Sequence, residues 1–403
     1  MSRLTELIQE LCPNGVEFKK IKEVYQRLKG TPITASKMKE IENPQGEIRI
    51  FAGGKTVINA KEIDIPNANI TRVPAVLVQS RGVIDAVYYD KPFTFKNEMW
   101  AYTAENPIAV KFLYYVLKNN MEYFRSAAAG MGSLPQISLP VTEDFEIPVP
   151  PLEIQREIVR ILDTFTELTA ELTAELTARK QQYAYYRDNL LTFRVDITRK
   201  SLDELCTISA AGDAPKDALS LTKTAEYQIP VISNGIGENA FYGYTDKPKI
   251  TEPAVTVAAR GTIGYAEYRD YPYYPIIRLL SVIPKNTAVL ATKYLYYCMQ
   301  GKKYNVPLGG IPQLTAPELK KVVIPVPPLP VQQRIVTVLD NFDAICSDLN
   351  IGLPAEIEAR KKQYEFYRDQ LLTFAAQDEI VLTDRQTDRQ TDRQTDRQTS
   401  ITP

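Results

Sequence analysis

The sequence predicts an α+β protein built as two duplicated α/β-mixed domains, each followed by a long helix, so that the chain is a pseudo-two-fold repeat. Two long matches carry this. "IPVPPLEIQREIVRILDTF" (147–165) returns as "IPVPPLPVQQRIVTVLDNF" (324–342), and "ARKQQYAYYRDNLLTF" (178–193) returns as "ARKKQYEFYRDQLLTF" (359–374). Fainter echoes precede them: "PAVLVQSRG" and "PAVTVAARG", "KFLYYVL" and "KYLYYCM", "GSLPQIS" and "GGIPQLT". Ordered matches of this length are the mark of an internal repeat.

The elements follow in chain order. Residues 1–147 form the first variable domain. Its runs "PAVLVQSRGVIDAVYYDKPFTF" and "PIAVKFLYYVLKNNMEYFRS" predict strands with tight Arg-Gly turns and an amphipathic helix. Residues 148–195 form the central conserved helix, which Pro150 and Pro151 introduce with no loss of a helical hydrogen bond. Ile154, Ile158, Ile161, Leu162, Phe165, Leu168, Leu172 and Leu176 make an apolar stripe on one face. The spacing predicts that this stripe pairs with its own second copy. Residues 196–324 repeat the variable design, and residues 325–375 form the distal conserved helix, which Gly352 and Pro354 should break in two. Residues 376–403 are apolar-poor and end in repeated Thr-Asp-Arg-Gln, which predicts a disordered tail.

Composition removes several functions. The chain has 403 residues and no histidine, so Ser-His and Cys-His nucleophilic pairs and HExxH zinc sites are excluded. Cys12, Cys206, Cys298 and Cys346 are scattered without a CxxC, which fits reduced thiols and a cytoplasmic location. There is no secretory leader pattern at the start and no apolar run of membrane-spanning length. No catalytic or metal-binding residues are expected. "FAGGKT" lacks the first glycine of a phosphate-binding loop, since Arg49 stands there. Net charge is −1, which argues against a non-specific nucleic-acid binder. Residues 1–142 nevertheless carry 18 Lys+Arg against 14 Asp+Glu, and residues 200–317 carry 12 against 10.

The duplicated "IPVPPLEIQREIVRILD" and "RKQQYAYYRDNLLTF" motifs, with their Gly-x-x-Pro-Gln-Ile/Leu-Ser/Thr lead-ins, resemble type I restriction–modification specificity (S) subunits. The resemblance covers residues 1 to about 375. It implies two target-recognition domains separated by an antiparallel pair of long conserved helices, a coiled-coil spacer. Each domain would read one half of a bipartite, asymmetric double-stranded DNA site. Two methyltransferase (M) subunits would dock on the helices and motor-nuclease (R) subunits would join them. The chain itself would be non-catalytic. S-adenosylmethionine, ATP and Mg2+ would sit on the partner subunits, which together would act as an adenine N6-methyltransferase and ATP-dependent endonuclease. A structural coiled-coil scaffold with two protein-binding heads is the alternative, and the near-neutral charge favours it.

Groove reading calls for Arg or Lys on guanine, with phosphate contacts for register. Lys55, Arg72, Arg81 and Lys91 are the DNA-binding candidates of the first domain; Lys247, Arg260, Arg269 and Arg278 are those of the second. Arg81 and Arg260 hold matching Arg-Gly positions, and Gln136 and Gln313 hold matching Pro-Gln positions. Gln155, Arg156, Gln332 and Gln333 are the candidates for partner binding. Leu168, Leu172 and Leu176 mark the spacer, written in Thr-Ala-Glu-Leu units. One further unit would advance the far end by about 6 Å and turn it by about 40°, near the 34–36° turn of one DNA base pair. The segment therefore reads as a ruler between two half-sites. The codons ACA-GAC-AGA-CAG, a repeated ACAG, would encode Thr-Asp-Arg-Gln, and slippage in such a tract would make the C-terminus phase-variable.

Overall fold

The computed structural model describes residues 2–54, 56–128, 134–193, 197–215, 217–304, 312–347 and 352–373. The tetrapeptide tail and Lys55 lie outside these residues. The chain divides into two compact units, residues 1–171 with those from 358 onward, and residues 172–357. Both cuts fall inside helices, so each variable domain is grouped with half of the central helix.

Unit 1 opens with α1 (Ser2–Leu11), β1 (Phe18–Lys20), α2 (Ile21–Val24), β2 (Gln26–Leu28) and α3 (Ala35–Ile41). Then come β3 (Ile48–Phe51), β4 (Val57–Ala60), β5 (Ala75–Gln79), β6 (Asp85–Tyr89), β7 (Phe93–Phe95) and β8 (Trp100–Thr103). The domain closes with α4 (Pro107–Asn119), α5 (Met121–Ala127), α6 (Leu139–Glu143) and β9 (Glu146–Pro148), which leads into α7 (Leu152–Leu191). The strands form three sheets, ordered β2-β8-β5-β6, β4-β3-β7 and β1-β9. The last joins the start of the domain to its end.

Unit 2 has β10 (Arg199–Ser201), α8 (Leu202–Leu205), β11 (Cys206–Ala210), β12 (Ile229–Ile232), β13 (Phe241–Thr245) and β14 (Ala254–Val257). It continues with β15 (Ala266–Arg269), β16 (Tyr274–Pro275), β17 (Leu280–Pro284), α9 (Thr292–Met299), α10 (Ala316–Lys320), β18 (Val323–Pro325) and α11 (Leu329–Ser347). Its sheets are β11-β17-β14-β15, β13-β12-β16 and β10-β18. Strand for strand this is the topology of unit 1. In both three-stranded sheets the pairing of the central strand with the later strand is parallel.

The helices of the variable domains form for local reasons. Asn106 caps α4 by accepting from the Ile108 N–H at 2.9 Å, and Pro107 occupies the first turn. The buried face of α4, with Val110, Leu113 and Val116, joins the same core as Val76, Val78 and Tyr102 of the sheet. The large aromatics Tyr102, Tyr273, Tyr294 and Tyr297 are fully buried, so part of the abundant tyrosine is core.

The 40-residue helix α7 is unbroken, about 60 Å at 1.5 Å per residue. The second copy is described as α11 up to Ser347 and α12 (Leu353–Thr373), with Gly352 outside the helix just before α12 and Pro354 in its first turn; residues 348–351 lie outside the described residues. The apolar stripe of α7 has two employments, a correction to the single pairing seam predicted. Ile154, Ile158 and Leu162 are fully buried in the core of variable domain 1. Beyond them, Phe165 stacks on Tyr367 of α12 within unit 1, and Tyr186 stacks on Phe342 of α11 within unit 2, both at 5.5 Å.

Between these stacks, Leu168 is 38% exposed and Leu172 and Leu176 are half-buried. The threonines of this stretch donate back to the carbonyl four residues earlier, Thr166 to Leu162, Thr169 to Phe165 and Thr177 to Thr173. A β-branched polar residue is thereby satisfied without leaving the helix.

Candidate nucleic-acid interface

Each variable domain is joined to a conserved helix by the same polar contact. In unit 1 the Tyr115 hydroxyl donates to the Asp163 carboxylate at 2.5 Å, and Lys111 pairs with the same carboxylate at 2.7 Å. In unit 2 Tyr297 donates to Asp340, and Lys293 pairs with it at 2.8 Å. Burial, and then the neighbouring carboxylate, push both tyrosine hydroxyls up, which keeps them protonated donors.

At one end of each four-stranded sheet, four turns converge. In domain 1 the Gly54 N–H donates to the Arg81 carbonyl at 3.2 Å, and the Gly82 N–H donates to the Pro135 carbonyl at 2.8 Å. The Ile137 N–H returns to the Ser80 carbonyl at 2.9 Å, and the Ser80 hydroxyl donates to the Glu98 carbonyl. Domain 2 repeats the arrangement around Asn234. Its side-chain oxygen accepts from the Ala259 N–H at 2.8 Å, and its amide donates to the Ile277 carbonyl at 2.6 Å. The Leu314 N–H donates to the Ala259 carbonyl at 2.9 Å, the counterpart of Ile137 on Ser80.

Arg81 with Gln136, and Arg260 with Gln313, are thus brought together by the fold in both copies. Arg81 and Gln136 form a backbone bridge and are exposed. The Arg260 guanidinium donates twice to the Gln313 side-chain oxygen, at 2.9 and 2.7 Å. Arg260, Arg278 and Gln313 line a cleft of about 730 Å³ with Asp213, Ala211 and Thr315. Its lining mixes these polar side chains with Ala210, Leu280, Leu314 and Pro317.

Two adjacent residues on this cleft have left-handed backbone, Ile277 with φ 54° and Arg278 with φ 60°. For non-glycine residues this costs on the order of 1–3 kcal/mol each, and β-branched isoleucine is poorly suited to it. The conformation is held from both sides of Ile277. Its N–H donates to the Gly212 carbonyl at 2.9 Å, and its carbonyl accepts from Asn234.

The other candidate cations lie elsewhere. Arg72 and Lys91 flank the opposite ends of β5 and β6 from Arg81, and Arg72 pairs with Glu62 at 2.6 Å. Lys247 follows β13 at the strand end remote from Asn234. Arg269 is a correction to the sequence reading. It is 3% exposed and its guanidinium is spent on Glu267 and the Tyr271 hydroxyl, both at 2.7 Å. The alternating strand pattern around it does not reveal that its partners sit two residues away on either side.

Gln155 and Gln332 are also corrections, since both face inward. Gln155 donates to the Pro150 carbonyl at 2.8 Å. Gln332 is wholly buried, donates to the Pro327 and Val289 carbonyls and accepts from the Ala291 N–H. These glutamines tie the start of each conserved helix to its neighbours. Their sequence neighbours Arg156 and Gln333 are exposed. The residues that sequence reasoning missed are Asn234, which ties three turns together, and Glu98, which pairs with Lys96 at 2.9 Å. Both stand next to turns whose closure depends on contacts distant in sequence.

Among the described residues no cluster of side chains suits a metal ion, and no helix is long and apolar enough to cross a membrane. The four cysteines carry free thiols, and burial pushes Cys206 and Cys298 up to about 12.

Comparison with known proteins gives a consistent family. The model of the type I restriction modification DNA specificity domain matches twice, over residues 13–179 and 194–359. A type I specificity subunit of Mycoplasma pneumoniae is 30% identical over 375 residues, covering 90% of this chain and 98% of its own. The specificity subunit of a type I restriction enzyme of Escherichia coli is 33% identical over 306 residues, covering 68% of this chain and 74% of its own. Among solved structures, the S subunit of a type I restriction–modification system of M. genitalium superposes with a TM-score of 0.56 at 17% identity, over 90% of this chain and 96% of that one.

Proposed function

Because the chain belongs to the type I restriction–modification DNA specificity family, we propose that its two turn clusters are the surfaces that read the two halves of a split DNA site. Membership decides between the two sequence readings in favour of a recognition subunit and against a scaffold. The observation that carries the assignment to these turns is their repetition. Arg81 with Gln136 and Arg260 with Gln313 occupy the same end of matched sheets, although the surrounding sequence has diverged. Arginine and glutamine are suited to guanine and adenine edges, and backbone-held turns fix where their side chains can reach.

The chain contributes recognition rather than chemistry. The adenine N6-methyltransferase and ATP-dependent nuclease activities are assigned to partner subunits, with S-adenosylmethionine, ATP and Mg2+ bound there. Two methyltransferase subunits would dock at the starts of α7 and α11, where Arg156 and Gln333 stand exposed at matched positions. Gln155 and Gln332 support those helix starts from within.

The test is selection from a duplex library by the chain assembled with its methyltransferase partners. Arg81→Ala is expected to relax one half-site and Arg260→Ala the other, each by about ten- to hundredfold at the affected base, in line with the 1–3 kcal/mol of a base contact. Substitutions that altered both half-sites equally, or neither, would overturn the assignment.

A further inference from the structure

The two turn clusters differ most sharply at one matched position. The turn after β7 closes through the Met99 N–H on the Lys96 carbonyl at 2.9 Å, and the turn after β16 closes through the Leu279 N–H on the Ile276 carbonyl at 3.1 Å. In this frame Glu98 of domain 1 stands where Arg278 stands in domain 2. The charge is reversed at matched chain positions, on turns of different backbone: Ile277 and Arg278 are left-handed, whereas Asn97 and Glu98 are not.

Arg278 is exposed and lines the cleft beside Arg260 and Gln313. Arg260 donates to Gln313 and Arg269 to Glu267, whereas Arg278 makes no ion pair or side-chain hydrogen bond among the described residues. Its backbone is left-handed, next to a left-handed isoleucine pinned through both its N–H and its carbonyl. The fold thus fixes the backbone from which an unpaired guanidinium extends on the cleft. Glu98 is its chemical opposite, an acceptor lying against Gly53, with Lys96 at 2.9 Å to offset its charge beside a polyanion.

We infer that residues 96–99 and 276–279 supply a further base contact in each domain, Arg278 donating to O6 and N7 of a guanine and Glu98 accepting from the exocyclic amine of a cytosine. This rests on the reading of the two clusters as half-site readers. It gives the two half-sites different chemical requirements at corresponding positions. Lys96 acts as a positioning residue for the Glu98 carboxylate.

The experiment compares the wild-type complex with Arg278→Ala, Arg278→Lys and Glu98→Gln on duplexes randomised in both half-sites, at two salt concentrations. Arg278→Ala should lose a guanine preference at one position of one half-site by about ten- to hundredfold. The other positions of that half-site should stay selected, which verifies that domain 2 is folded. Arg278→Lys should keep the salt dependence and lose most of the preference, because an ammonium cannot make the two-pronged contact. Glu98→Gln should change one position of the other half-site only. A uniform loss over all sequences with a shallower salt dependence would make Arg278 a phosphate contact and overturn the inference. So would an unchanged selection, or loss of the whole half-site. A wild-type complex that selected no split site would instead overturn the half-site reading beneath it.

Discussion

The two units share their sheet topology and close their cores with matched helix ends drawn from different places in the chain. Unit 2 is closed by the far end of α7, with Tyr183, Leu190, Leu191 and Phe193 packed partly buried against its core. Unit 1 is closed by the far end of α12, where Leu371 and Leu372 are 3% and 7% exposed beside Leu4 and Ile8 of α1. The "YYRD" and "FYRD" repeats therefore serve domains other than the ones they follow. Arg368 donates to Asn119 of domain 1 at 2.8 Å, and Tyr183 donates to Gln300 of domain 2 at 2.5 Å. The lesson is that the repeated helix residues are joints between a helix and the domain that does not precede it.

The largest test of this contrast is at the helix ends. Leu371→Ala with Leu372→Ala should destabilise unit 1 by about 2–5 kcal/mol per residue. The matched pair Leu190→Ala with Leu191→Ala should cost unit 2 less, because those side chains are only partly buried. Hydrogen exchange resolved by segment measures both, and equal losses would break the comparison.

A smaller difference is expected at the glutamines. Gln332→Ala removes three hydrogen bonds from a fully buried site and should cost about 2–3 kcal/mol, against about 1 kcal/mol for Gln155→Ala. The Gln155 side-chain oxygen is buried without a partner among the described residues, so less is lost there. Denaturant titration of the two variants decides; the reverse order would sink the argument. The smallest effect belongs to Arg72→Ala. Its pair with Glu62 is about half exposed, so stability should move by less than about 0.5 kcal/mol and base selection by nothing measurable.

Much of the fold was legible because it is written twice. The repeated motifs located both conserved helices, and Gly352 stands outside the helix at the start of α12. The stripe of α7 was legible as a face but not as two faces in succession, since periodicity records burial and not the identity of the covering surface. The site was half legible. Matching Arg-Gly and Pro-Gln positions identified Arg81, Arg260, Gln136 and Gln313, which the fold draws together. The inward turn of Gln155, Gln332 and Arg269 was not, because their partners are carbonyls and side chains that only the folded chain presents.

The closure of unit 1 by α12 also sets an order of events during synthesis. Unit 2 draws its residues from one continuous stretch, 172–357, and can complete its core as soon as that stretch has left the ribosome. Domain 1 emerges first but lacks Leu371 and Leu372 until almost the whole described chain has been made. Chains generally fold in the order in which their domains emerge. Here the first domain translated is the last one finished.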